Sequence, residues 1–351
     1  NYMMNILKIF IPAIFSFSIG IAITPLCTHF FYKYKLWRKS RLDNVDEMSP
    51  VFKQLHDETS EVKTPRVGGI IIWGSVLITI LLVYIFKVMF DGPVFGKLDF
   101  LSRNQTLLPL LALVFGGLFG LFEDFIDIFS DKFEIIKQGL PARYLVIIVT
   151  FIGLVASSYF YFKLGLRDVY VPFFGYWHIG VWFIPFFILV TLGTFSSRVI
   201  DGIDGLAGGV MSIAFGAFGT IAFLQNQIDI ATFCFVITGG ILSFLWFNIP
   251  PARFYMGETG MLALTLTLAF IAFLVDGVFL LPIIGALLVA TSFSSTVQII
   301  SKRYFGKKIF KIAPLHLHFQ ALGWSRAKIT MRYWILSLMF AVLGILVAII
   351  G

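Results

Sequence analysis

Long apolar runs alternate with short polar gaps ten times along the chain, at roughly 7–32, 67–88, 106–122, 143–163, 179–197, 205–224, 229–247, 260–276, 277–299 and 330–350. A helix needs about 20 apolar residues to cross the hydrocarbon core of a bilayer, and each run is near that length. The runs are continuous, with no alternation of apolar and polar positions, which predicts helices and not the strands of a barrel. The expected fold is all-α: a polytopic integral membrane protein of about ten transmembrane helices, forming a single transmembrane domain over 1–351. The first run is too long and lacks a small-residue cleavage site, so it is expected to be a span and not a cleaved leader.

Composition agrees. Hydrophobic residues make up 58% of the 351 and the mean hydropathy is +0.92, beyond what a soluble domain carries. Of the 27 Lys and Arg residues, 21 lie in the gaps 33–66, 123–143, 198–204, 248–259 and 300–332, and 6 on the other side. That bias predicts that these gaps face the cytoplasm and that both termini lie outside. The net charge of +8 then reports topology and an affinity for anionic lipid. No compact basic domain stands clear of the membrane, so no nucleic-acid partner is expected. Cys27 and Cys234 lie inside apolar runs without a partner at metal-ligand spacing and read as packing residues. Tyr176 and Trp177 read as interface anchors.

The chemistry-bearing residues collect in the same five gaps. GLFEDFID (120–127) ends the third run with Glu123, Asp124 and Asp127. Adjacent carboxylates repel unless a cation or proton lies between them; the plain alternative is a solvated helix end, where a carboxylate contributes little to packing. RVIDGIDGLAGG (198–209) sets Asp201 and Asp204 three residues apart among four glycines, which let a ligand approach the backbone, although Asp at a helix start also serves as a simple cap. FNIPPARFYMGETGMLAL (247–264) aims Glu258 at the next helix start behind Phe254 and Tyr255, an arrangement suited to a flat ring near a metal. APLHLHF (313–319) offers His316 and His318 for phosphate binding or proton handling and lies where a short interfacial helix is expected. TPRVGGI (64–70) breaks the chain at Pro65 and opens the next helix at Gly68-Gly69. Carboxylates of this kind suit Mg²⁺, a hard ion that prefers oxygen ligands and substrate phosphates.

In this order the motifs resemble the polyprenyl-phosphate N-acetylhexosamine-1-phosphate transferase superfamily, over most of the chain from TPRVGGI to RYWI (332–335). The segment APLHLHFQALGWSRAKITMRYWI (313–335) is most similar to its phospho-N-acetylmuramoyl-pentapeptide transferase branch. The resemblance implies transfer of a phospho-sugar from a UDP-sugar to polyprenyl (undecaprenyl) phosphate at the cytoplasmic face of a bacterial inner membrane. UMP is released, Mg²⁺ is the cofactor, and the protein is often a homodimer. Glu123 and Asp124 match the family's acidic pair, Asp124 matching the carboxylate that activates the lipid phosphate and a second candidate metal ligand. Asp201 and Asp204 match the acids of its DGLDGLA motif. Asn248 matches the Asn before its Pro-Ala turn. Tyr255 matches the aromatic that stacks on uracil, and Glu258 matches the main Mg²⁺ ligand. His316 and His318 match the outer members of its HHH triplet, and Thr64 and Gly68 match its TPxxGG segment. The expected catalytic residues are thus Glu123, Asp124, Asp201, His316 and His318; the substrate-binding ones are Thr64, Gly68, Asp204, Asn248 and Tyr255.

The chain departs from the family pattern at several positions. Glu stands for Asp at 123 and 258, Leu317 for the middle His, Arg198 for an Asn and Gln320 for a Glu. Leu317 is closer to branches that take UDP-GlcNAc, which keeps a GlcNAc-1-phosphate transferase open, and the two longer acids keep open an inactive, lipid-binding relic. A cation-coupled transporter is the reading of another class. It would carry its carboxylates near mid-bilayer, whereas these acids sit at span ends.

Overall fold

The computed structural model describes residues 2–37, 64–89, 100, 104–130 and 140–351. Large parts of the gaps 33–66, 89–105 and 123–143 lie outside the described residues. The apolar runs are helical over most of their length, since a chain with no water to bond must satisfy its backbone within itself. The helices are α1 (Tyr2–Lys33), α2 (Gly69–Met89), α3 (Asn104–Ile128), α4 (Ala142–Ser158), α5 (Phe183–Ser196), α6 (Leu206–Leu224), α7 (Ile228–Asn248), α8 (Gly257–Leu274), α9 (Leu281–Ile284), α10 (Ala286–Phe305), α11 (Leu315–Ala321) and α12 (Arg326–Ile350).

Among the described residues, nine helices are long and apolar enough to cross a membrane: α1 to α8 and α12, α4 continuing through a π turn to Lys163 and α5 extended by 3-10 turns to Gly180–Ile200. The expected span 277–299 is instead divided between the short α9 and α10, which runs on to Phe305. Thr291, Ser292, Ser294, Ser295, Thr296 and Gln298 make α10 less apolar than its neighbours. Within it Thr291 Oγ1 donates to the Leu287 carbonyl at 2.6 Å, so these hydroxyls are satisfied by the helix itself. The APLHLHF motif forms the expected short helix, α11. One feature was not anticipated: the gap 164–178 contains a hairpin, β1 (Asp168–Val171) antiparallel to β2 (Gly175–His178), with Val169 opposite Trp177. Tyr176 and Trp177 are exposed on β2, and the Tyr176 hydroxyl donates to Asp276 at 2.9 Å. This hydrogen bond to a carboxylate, helped by partial desolvation, pushes the pKa of the Tyr176 hydroxyl up to about 12.

The core is organised around α8. In its apolar window 83% of residues are buried, against 22% in α1 and α12 at the periphery. Where both surroundings and interior are apolar, helices associate by close packing, and small residues permit it. Gly116 and Gly120 of α3 face α8 so closely that a Cβ would come within 2.8 Å of Ala263 Cα and 2.1 Å of the Glu258 carbonyl oxygen. Gly69 at the start of α2 meets Gly260. Thr259 Oγ1 donates to the Gly117 carbonyl (3.1 Å) and accepts from Trp73 Nε1 (3.3 Å), tying α2, α3 and α8 together. Cys234 is fully buried and Cys27 half-buried, both unpaired.

The α3–α8 approach is therefore expected to tolerate no added atom. Gly120→Ala should cost about 1–3 kcal/mol through overpacking, seen as a lower melting temperature in detergent. Gly216→Ala, where nothing lies within 4 Å, should leave it unchanged or raise it slightly. Equal melting temperatures for Gly120→Ala and wild type would mean that the two helices part at that point.

Candidate functional site

The motif-bearing ends of the helices converge on the start of α8. The first N–H groups of any helix have no acceptor inside it, and Met256, at the cap position of α8, supplies no side-chain acceptor. The acceptors come from elsewhere. Asp201 Oδ2 takes Gly257 N (3.2 Å), Asp124 Oδ1 takes Glu258 N (3.0 Å) and Asp124 Oδ2 takes Thr259 N (2.8 Å). Gly257 has φ +70°, and a Cβ there would meet the Arg66 carbonyl oxygen and Asp124 Oδ2, so only glycine fits. Asp124 is buried with both oxygens engaged. The expectation that a span-end carboxylate adds little to helix packing is thus corrected, because this one anchors a second helix.

Asp204 does not act as a simple cap either. The cap position of α6 is Gly205, at φ +74°, while Asp204 Oδ2 reaches across to Ala252 N (3.1 Å). Asn248 is buried and bridges two loops, accepting from Gly205 N (2.9 Å) and donating to the Phe254 carbonyl (2.8 Å). From α12, Thr330 Oγ1 donates to the Asp204 carbonyl and Trp334 Nε1 to the Gly205 carbonyl, each at 3.1 Å. The TPRVGGI segment pairs with the loop before α8: Tyr255 N to the Pro65 carbonyl (2.8 Å), Gly68 N to the Tyr255 carbonyl (2.9 Å) and Gly69 N to the Met256 carbonyl (2.9 Å). Thr64 lies half-buried at its start. A side chain at Gly68 would strike Tyr255 and Phe254. Of the aromatic pair, Phe254 is wholly buried against Phe31, Phe244 and Phe247, which leaves Tyr255, half-buried, to meet a ligand.

Charge of both signs gathers around this frame. Glu123 sits beside Asp124, within electrostatic reach of Glu258 and Asp127. Arg198 Nη1 donates to Glu258 Oε1. Arg66 Nη1 meets Asp127 Oδ2 at 3.4 Å and lowers the pKa of Asp201, but burial outweighs it and pushes the Asp201 carboxyl up to about 6. Sequence reasoning had not assigned Arg66 or Arg198 to the site. The only signals for them were their places inside the motifs and, for Arg198, its departure from the family residue.

Among the described residues no three His, Cys, Asp or Glu side chains converge closely enough to hold a metal ion. One atom is nevertheless suited to a cation: Glu258 Oε2 is buried and has no hydrogen-bond partner. Mg²⁺ commonly takes one or two carboxylates and completes its shell with water and substrate phosphates, so Glu258 fits as a single protein ligand. Asp124 fits less well, since both its oxygens already accept N–H groups.

The two histidines lie apart in character. His316 is buried with Nδ1 unpartnered, its ring against Gly202, where a Cβ would come within 2.5 Å of Nε2. Burial lowers its pKa to about 4, so it is neutral at pH 7. His318 is held in its own loop, Nδ1 accepting from Lys311 N at 3.2 Å.

Residues 106–276 match glycosyl transferase family 4. The chain is 32% identical to the phospho-N-acetylmuramoyl-pentapeptide-transferases of Bacillus cytotoxicus, Bacillus mycoides and Bacillus thuringiensis. In each case the similarity runs over 340 residues, 95% of this chain and 96% of the relative.

Two outcomes follow from this geometry. Asp124→Ala strips two buried N–H groups of their acceptor and should cost about 2–5 kcal/mol, while Asp124→Asn, which keeps one acceptor, should cost less; both are read as melting temperatures at pH 7. The second concerns His316. A group whose folded pKa is depressed contributes stability above its unfolded pKa, near 6.5, and loses it as pH falls toward about 4. Up to about 3 kcal/mol should disappear in that window, and the slope should flatten in His316→Gln. Because the raised pKa of Asp201 acts in the opposite direction over the same window, the comparison decides: identical slopes for wild type and His316→Gln from pH 6.5 to 4.5 would contradict the burial of a neutral imidazole.

Proposed function

Since the chain belongs to glycosyl transferase family 4 and to its phospho-N-acetylmuramoyl-pentapeptide transferases, we propose that it makes the first lipid-linked peptidoglycan precursor. It transfers phospho-N-acetylmuramoyl-pentapeptide from its UDP conjugate to undecaprenyl phosphate, releasing UMP. The single domain spans 1–351 and lies in the bacterial inner membrane, with the converged helix ends facing the cytoplasm as the Lys and Arg bias predicts. What supports this reading in the structure is an apolar crevice whose lining reaches Ser196 and Ser197, the two residues before Arg198 in the chain. The crevice, of about 360 Å³, runs between α5, α8 and α10 and is also lined by Val190, Leu268, Val278 and Leu288. A polyprenyl tail suits such a lining, and its phosphate then meets the cluster. A transporter reading has nothing comparable in its favour.

In the reaction an oxygen of the lipid phosphate attacks the sugar-proximal phosphorus of the UDP-sugar. A new P–O bond forms as the bond to the UMP oxygen breaks, and UMP leaves with the electron pair. When bound, Mg²⁺ would offset charge on the pyrophosphate, with Glu258 Oε2 holding it. Tyr255 stacks on the uracil, three residues before Glu258, which puts the diphosphate beside that carboxylate. Asp124 and Asp201 act as positioning residues through the α8 start. Glu123, adjacent and less encumbered, accepts any proton that the lipid phosphate still carries. His318, at the edge of α11, meets phosphate, and neutral His316 supports the Gly202 turn.

The test is an assay of purified protein with Mg²⁺ and undecaprenyl phosphate, offering UDP-N-acetylmuramoyl-pentapeptide and UDP-GlcNAc in parallel. UMP release from the first alone is expected. Release from UDP-GlcNAc alone would move the chain to the other branch, and release from neither would favour an inactive relic. Tyr255→Ala should weaken UDP binding by about 1–3 kcal/mol, with Tyr255→Phe close to wild type.

A further inference from the structure

Two departures from the family pattern meet in space. Arg198 stands where the family has Asn and Glu258 where it has Asp, and the guanidinium of the first donates to Oε1 of the second. Each side chain is 21% exposed, so the pair is accessible from the site and not sealed in the core. The guanidinium also lies over the Phe195 ring, 4.9 Å from its centre, which restrains it. Glu258 keeps its second oxygen, Oε2, without a partner. A fixed positive charge is therefore built in against a carboxylate that fits a cation.

We propose that Arg198 is a second, permanent cation of the diphosphate site, held at rest by Glu258 and taken over by the diphosphate of the incoming nucleotide sugar. The proposal rests on the nucleotide-sugar reading above. Guanidinium is always charged and its planar fork matches phosphate oxygens. A carboxylate and a diphosphate are then competitors for the same N–H donors. Glu258, holding a cation at Oε2, would bind Arg198 less firmly and would leave the guanidinium free for phosphate. Without a divalent cation the guanidinium still distinguishes a diphosphate from a monophosphate, though less strongly.

The experiment measures equilibrium binding of UDP and UMP to the purified full-length protein, in EDTA and in Mg²⁺. Wild type in EDTA is expected to prefer UDP to UMP. Arg198→Gln should lose UDP affinity in EDTA by roughly tenfold with UMP affinity unchanged, which also establishes that the variant is folded. Arg198→Lys should recover part of the loss. Glu258→Gln removes the competing carboxylate. It should bind UDP more tightly than wild type in EDTA and more weakly in Mg²⁺, a reversal of sign that general damage to the site does not produce. Equal UDP affinity of wild type and Arg198→Gln in EDTA overturns the proposal, as does a Glu258→Gln variant weakened in both conditions. Wild type that binds UDP in Mg²⁺ but shows no preference for it over UMP in EDTA overturns this inference and leaves the transferase reading intact. Failure to bind UDP under either condition overturns both.

Discussion

The start of α8 is a buried helix N-terminus, with unpaired N–H groups and the positive end of the helix dipole. Such an end needs acceptors, and in this chain Asp124 brings them from α3 and Asp201 from the turn before α6. Much else is arranged around that requirement. Gly257 adopts a left-handed conformation so that the approach is open. Gly116 and Gly120 let α3 come near enough for Asp124 to reach. The TPRVGGI segment, joined to the loop at Tyr255 and Met256, closes the remaining side.

This gives the two acidic pairs a division of labour. In the first, Asp124 is committed to the frame and Glu123 is not; in the second both are, Asp201 at Gly257 and Asp204 at Ala252. The charges left over are Glu123 and Glu258, met by Arg198 and Arg66 with Asp127. A frame built of carboxylates leaves a surplus of negative charge, and two guanidinium groups temper it before any substrate arrives. An anionic substrate therefore enters a site that is already partly compensated, not one that depends on a metal alone.

The helices were legible in the sequence because an apolar run of spanning length has few other solutions in a bilayer. The positions of the acids at helix ends were legible for the same reason. The partners of those acids were not. Asp124 meets Thr259 across 135 residues of chain, and no local period encodes which helix end will lie opposite which. The Arg198–Glu258 pair was visible only as two separate oddities, each puzzling alone and explained by contact with the other. The break within 277–299 was not legible, nor that α10 there is less apolar than its neighbours, its hydroxyl-bearing residues bonding back to their own helix. The hairpin was missed because its strands are four residues each, too short to establish an alternating pattern.

The separation between Asp124 and its helix partner has a consequence for biogenesis. As the chain emerges and enters the bilayer in order, α3 arrives well before the residues that Asp124 will hold. No early subset of helices contains the site. Its frame can form only once α8 lies beside α3, and it is completed by α11 and α12, so a nascent chain halted before that point carries the acids without the architecture that gives them a role.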